Sequence, residues 1–355
     1  MSMEQLREQL TRIQPLDKDA IQQATQRQQQ LTKPAGSLGR LEEIAIRLAG
    51  IQGTPIPKIQ RRDVIVMAAD HGVTREGVSA YPAEVTPQMV LNFLSGGAAI
   101  NALARQAEAA VSIVDVGVAT ELHHPQLIER KIALGSANMV EGPALTSEQL
   151  FKAIQVGFDV LDEIAHQGSD LVAIGEMGIG NTTAASAISA TLLQQPVEAL
   201  TGYGTGINEQ QRQHKIQVLQ RAVQQNQPDP HDPLDVLAKV GGLEIAALTG
   251  VVIAAAAHRI PVLIDGFISS SAALIACALQ PRITDYLFAG HASVEPGHRL
   301  ILAQLGLTPL LSLDMRLGEG TGAVLAMHIL EAALRTHREM ATFADAGVSE
   351  RTENT

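Results

Sequence analysis

The sequence predicts an α/β fold, a mostly parallel sheet covered by helices on both faces. Three observations predict it. From residue 64 onward, short apolar runs alternate with helical stretches, as βα units require. Of the 355 residues, 46% are hydrophobic, yet only 3% are aromatic and Trp is absent. A core of Ala, Leu, Ile and Val favours closely packed helices over an all-β sandwich. The apolar runs also end in polar residues and glycines: Asp70-His71-Gly72, Asp115-Val116-Gly117, Gly175-Glu176, Asp265-Gly266 and His291. In open α/β sheets, ligands bind beyond the carboxyl ends of the strands.

The elements follow in order. The chain up to about Gly53 reads as helical, with Leu38, Leu41, Ile44, Ala45 and Leu48 at helical spacing. Lys33-Pro34-Ala35-Gly36-Ser37 separates two helices, and Gly53-Thr54-Pro55-Ile56-Pro57 reads as a break. Strands are predicted at 64–69, 111–116, 171–174, 262–264 and 286–289, with 309–313 and 131–134 as further candidates. Thr86 caps a helix with Pro87 at its first position. Thr146 and Gln149 form a capping-box pattern ahead of 150–166, and Asp232-Pro233 is an N-cap pair. The greasy run 243–257 is interrupted by Glu244, Thr249 and Gly250. It is too short for an ordinary membrane span, so it reads as a core helix. The final helix, about 323–340, is amphipathic and is expected to return onto the N-terminal helices. The polar tail after Phe343 is expected to fray. Residues 1–60 together with 324–355 are thus expected to form a small helical subdomain beside a large α/β catalytic domain at 61–323.

Charge and cysteine usage exclude some functions. The formal net charge of −11 argues against a nucleic-acid partner. The one cysteine, Cys277, lies in an apolar stretch, so no disulfide forms within one chain. That fits a reducing, cytoplasmic setting. The Gln-rich start carries no apolar signal segment, and no membrane partner is expected.

Two loops carry the candidate chemistry. Met315-Arg316-Leu317-Gly318-Glu319-Gly320-Thr321 sets one carboxylate between two glycines, just before an apolar helix. A helix starting at Thr321 would aim its free N–H groups back at Glu319. A carboxylate on such a bend suits a general base; a solvated glycine turn is the plainer alternative. After the apolar run 170–174 comes Gly175-Glu176-Met177-Gly178-Ile179-Gly180-Asn181-Thr182-Thr183. Read as strand, glycine turn and helix, it offers N–H groups to a phosphate. It matches neither a P-loop nor G-x-G-x-x-G.

Other motifs weigh less. Thr201-Gly202-Tyr203-Gly204-Thr205-Gly206 reads as a lid, a second cradle or a flexible loop, and precedes a helix with Lys215. Asp70 is expected to satisfy loop N–H groups, and His71 to be packed or to touch ligand. His123 and His124 read as solvated. Ser269-Ser270-Ser271 reads as helix-capping serines, since G-x-S-x-G is absent. No His/Cys spacing points to a metal.

Several motifs, in order, resemble one family: Lys33-Pro34 with Gly36-Ser37-Leu38-Gly39-Arg40-Leu41-Glu42, Ala69-Asp70-His71-Gly72-Val73, Gly175-Glu176-Met177-Gly178 and Asn181-Thr182-Thr183. Asn226-Gln227-Pro228, Lys239-Val240-Gly241-Gly242, Asp265-Gly266-Phe267 and Met315 to Gly320 continue the match. The chain resembles the nicotinate-nucleotide–dimethylbenzimidazole phosphoribosyltransferases of cobalamin nucleotide-loop assembly, from about residue 30 to about 340. The resemblance implies a Rossmann-like sheet, a homodimer, and no metal or organic cofactor. It implies transfer of the phosphoribosyl group of nicotinate mononucleotide to 5,6-dimethylbenzimidazole. Nicotinate leaves, and α-ribazole 5′-phosphate forms with inversion at C1′. It assigns Glu319 as base and Glu176 to the ribose or to oxocarbenium charge. Gly178, Asn181, Thr182 and Lys215, with Gly204 and Ser293, would hold the phosphate. Pro82, Gln88, Met177 and Leu317 would line the base slot. The competing readings are an NAD(P)-dependent oxidoreductase and a non-catalytic nucleotide-binding protein on a similar sheet.

Overall fold

A computed structural model describes residues 1–204 and 206–349. Six strands form one sheet: β1 (Arg62–Ala69), β2 (Ala110–Gly117), β3 (Leu127–Glu129), β4 (Leu171–Met177), β5 (Val262–Ile264) and β6 (Leu287–Ala289). Their order is β3-β2-β1-β4-β5-β6, and every pairing is parallel. In β1 and β4 nearly every residue is buried, so both faces of the sheet are covered. That explains apolar runs without alternation. The order reverses between β1 and β4, which opens a crevice at their carboxyl ends.

The helix Leu243–Ala257 lies on β1, β2, β4 and β5 and crosses Ser147–His166. The crossing depends on two glycines. A Cβ on Gly157 would stand 2.0 Å from the Ala247 carbonyl oxygen, and one on Gly250 2.1 Å from that of Ile154. Thr321–Glu339 packs against Arg40–Gln52 and against β4 and β5. Arg27 donates from Nε to the His337 carbonyl at 2.7 Å, and Leu31 bridges Thr342 in antiparallel fashion. One apolar cluster runs from Leu6 through the strands to Leu334. Among the described residues, no helix is long and apolar enough to cross a membrane.

The capping box at Thr146 and the N-cap at Asp232, with Pro233 after it, are present as expected. Other expectations fail for tertiary reasons. Residues 309–313 make no strand; only Leu311 bridges His291. Residues 131–134 are not a strand either, and the preceding Leu127–Glu129 pairs instead. Lys131 is held by Asp115 at 3.0 Å and by the Val118 carbonyl. β4 runs three residues further than expected, because Gly175, Glu176 and Met177 pair with Val66, Met67 and Ala68. Thr86 is not a cap: its helix starts at Val85, and its hydroxyl accepts from the Ile179 N–H at 3.1 Å. Ser269 to Ser271 lie inside Phe267–Leu279 rather than capping it. The tail expected to fray contains the short helix Phe343–Ala346, and its last residues, 350–355, lie outside the described residues.

Gly157→Val should therefore lower stability by about 1–3 kcal/mol, the usual range for overpacking. A urea unfolding midpoint equal to wild type would show that the two helices can part without loss.

Candidate active site

A cavity of about 640 Å³ opens at the carboxyl end of β4. Its polar wall carries Glu176, Asn181, Thr182, Ser293 and Glu295, and its loop wall runs from Arg316 to Glu319. Its apolar wall carries Val85, Met89, Met177, Ile179 and Leu317.

Glu319 sits on an unusual backbone. Gly318, Glu319 and Gly320 all have positive φ, at 85°, 64° and 90°. For a non-glycine residue the left-handed region costs roughly 1–3 kcal/mol and persists only where neighbours impose it. Gly175 is one such neighbour: a Cβ there would lie 2.3 Å from the Glu319 carbonyl oxygen. Glu319 is 5% exposed, and its Oε2 faces the Ile100 N–H at 3.4 Å, in the first turn of Ala99–Gln106. Burial raises its pKa, the Ile100 N–H opposes the shift, and the Asp265 charge adds to it.

The helix start behind Glu319 does not point free N–H groups at it, contrary to expectation. Those of Gly320, Gly322 and Ala323 donate to the Asp265 carboxylate at 3.2, 2.7 and 3.0 Å. Burial nevertheless pushes Asp265 up to about 7. Glu176 rises to about 8, first through burial and then through the charges of Glu244, Asp265 and Glu319. It is therefore largely protonated at neutral pH, and the Asn181 amide donates to its Oε2. Beneath the floor, His71 Nε2 meets Glu244 Oε1 at 2.7 Å with both side chains fully buried. Burial opposes a charge on His71, but Glu244 outweighs it and the pKa is raised. Asp70 accepts from the Ala119 N–H at 2.8 Å. His123 is exposed beside Glu129.

The structure brings Glu319, Glu176, Met177, Gly178, Asn181, Thr182, Gly204, Ser293 and Leu317 to one cavity. Three expected residues do not line it. Lys215 lies behind the wall, 2% exposed, with Nζ donating to the Thr182 hydroxyl at 2.7 Å. Burial lowers its pKa to about 8 although Glu295 works the other way. Pro82 and Gln88 are both exposed. Because the helix starts at Val85, it turns Val85 and Met89, four apart on one face, toward the cavity. Sequence reasoning missed these two, as it missed Tyr81, Glu295 and Arg316. The i, i+4 spacing of Val85 and Met89 was the available signal. Among the described residues, no group of three or more His, Cys, Asp or Glu side chains is arranged to hold a metal. Thr205 lies outside the described residues.

A phosphoribosyltransferase family model matches residues 13–348. A nicotinate-nucleotide–dimethylbenzimidazole phosphoribosyltransferase from Chloroflexus aggregans is 57% identical, over 99% of this chain and 100% of that one. One from Desulforudis audaxviator is 54% identical over 98% of this chain and 99% of its own length. The chain belongs to this family. The crystal structure of the Thermus thermophilus phosphoribosyltransferase of the same name superposes with a TM-score of 0.90 at 50% identity. It covers 95% of this chain and 100% of the other. The Rossmann-like parallel sheet expected from the sequence is thus the family's fold. Motif residues of this phosphoribosyltransferase family that lie away from the cavity have scaffold contacts instead. Lys33 pairs with Glu42 at 2.8 Å, and the Asn226 amide donates to the Met139 carbonyl at 2.6 Å.

The folded state holds the Glu176 proton up to about pH 8, whereas an ordinary carboxyl loses it near 4.5. A raised carboxyl pKa gives stability that is complete at low pH and lost as pH rises through this window. Glu176→Gln should therefore gain unfolding temperature relative to wild type as pH goes from 5 to 8.5. Parallel curves in a thermal scan would show that Glu176 does not titrate there.

Proposed function

We propose that the chain transfers the 5-phosphoribosyl group of nicotinate mononucleotide to 5,6-dimethylbenzimidazole, as a step of cobalamin nucleotide-loop assembly. The observation that carries this is a buried carboxylate, Glu319, on the wall of a cavity that apolar side chains also line. An uncharged aromatic azole fits the surface made by Val85, Met89, Met177 and Leu317. One ring nitrogen attacks C1′, the C1′–nicotinate bond breaks, and nicotinate leaves with its electron pair. The other ring N–H becomes acidic as the new bond forms, and Glu319 takes that proton. Attack from the side opposite nicotinate inverts C1′. A raised pKa suits Glu319, because a base works best with a pKa near the working pH.

Glu176 is neutral at pH 7, so it serves better as a hydrogen-bonding partner of a ribose hydroxyl than as an anion beside an oxocarbenium ion. The turn from Gly178 to Thr182, with Gly204 and Ser293, would receive the phosphate. Lys215 would act through the Thr182 hydroxyl and by its charge. The reaction needs no cofactor, because the nucleotide carries its own leaving group. The protein would work in the cytoplasm as a homodimer, with residues 1–60 and 324–355 as a helical subdomain beside the catalytic 61–323.

Mixed with nicotinate mononucleotide and dimethylbenzimidazole in metal-free buffer, the protein should release nicotinate. Folded protein that releases none defeats the reading. Glu319→Gln should keep dimethylbenzimidazole binding and lower kcat by about 10²–10⁴-fold, the usual contribution of a positioned base. Turnover at the wild-type rate would remove Glu319 from that role.

A further inference from the structure

We propose that Asp265 is a positioning residue for Glu319: its carboxylate pins three of the four backbone N–H groups that follow Glu319, those of Gly320, Gly322 and Ala323, and so fixes the direction of the base. This rests on the reading of Glu319 given above.

The geometry is specific. Asp265 follows β5 directly and is 2% exposed. Its Oδ1 accepts from Gly322 and Ala323, and its Oδ2 from Gly320. Its own N–H donates to the Ser269 hydroxyl at 3.1 Å, so the pin is itself held from the first turn of Phe267–Leu279. The helix Thr321–Glu339 has Gly320 as N-cap and no capping side chain of its own. The cap that local sequence normally supplies comes here from the residue that follows β5. The residue just before the pinned amides is Glu319, the one non-glycine in a left-handed run of three. A backbone in that region must be held by its surroundings. Gly175 limits the loop on one side and Asp265 fixes it on the other.

A simple stability role would make Asp265 exchangeable for any good cap. A positioning role makes the Gly320 contact decisive. Asn has a single carbonyl oxygen. Turned toward Gly322 and Ala323, it sets its NH₂ group against the Gly320 N–H, beside Glu319. The charge of Asp265 also reaches Glu319. The groups around Glu319 are the Ile100 N–H from Ala99–Gln106, Glu176 from β4 and Asp265 from β5. Around Asp265 stand Glu176 and His291, the latter with Nε2 at 3.5 Å. Removing the Asp265 charge therefore lets Glu319 ionise at lower pH.

Wild type, Asp265→Asn and Ser269→Ala are compared by kcat, KM and pH profile. For Asp265→Asn the expected result is a kcat at least tenfold lower, a KM for the nucleotide within threefold of wild type, and an acid limb moved to lower pH. Ser269→Ala should lower kcat a few-fold with the acid limb in place. Wild-type kcat and an unmoved acid limb in a folded Asp265→Asn protein overturn the proposal. If that variant does not fold, unchanged kcat in Ser269→Ala overturns it. Carboxyl ¹³C NMR of Glu319 follows the same pKa without substrate. An inactive wild type would sink the transferase reading, while an unshifted Glu319 resonance in Asp265→Asn would sink this one.

Discussion

Four carboxylates gather at and beneath one cavity floor, and water reaches almost none of them. Glu176, Glu244, Asp265 and Glu319 are each at most 6% exposed. A buried carboxylate is tolerated only if it is protonated, paired or hydrogen-bonded. The fold uses all three devices. Glu244 is paired with His71, Asp265 receives backbone N–H groups, and Glu176 keeps its proton. Glu319 has the least support, a single long contact from Ile100. On the proposed reaction, it is the carboxylate that would exchange a proton with the ligand.

The glycines of the site serve this constraint. Gly175 lets the Glu319 loop lie against β4. Gly322 makes room for His291, where a Cβ would come within 2.1 Å of the ring, and Gly290 admits the start of Thr321–Glu339. The helix is thereby brought close enough to the sheet for Asp265 to reach its first turn. Close backbone approach and carboxylate burial are one packing solution seen from two sides.

Much of the fold was legible because parallel strands buried on both faces leave apolar runs that local reading can find. The long runs of β1, β2 and β4 show this. What was illegible depends on partners distant in sequence. Gly175-Glu176-Met177 looks like a turn, and becomes strand only because β1 lies beside it, paired through Val66 to Ala68. Thr86 looks like a cap, but its hydroxyl is taken by a loop 93 residues away. Asp265 looks like the end of a strand, yet its partners lie 55 to 58 residues downstream. At the site, glycine-flanked carboxylates marked Glu319 and Glu176. Gln88 was misplaced because a helix start shifted by one or two residues rotates the face it presents.

Lys215 carries one more consequence. Its ammonium is sealed behind Thr182 and holds its proton only to about pH 8. A phosphate dianion arriving on the far side of that hydroxyl would strengthen the hold. Nucleotide capture, as proposed above, would then be coupled to uptake of a fraction of a proton. The heat of binding measured by calorimetry would change with the ionisation enthalpy of the buffer, and affinity would decline in alkaline solution.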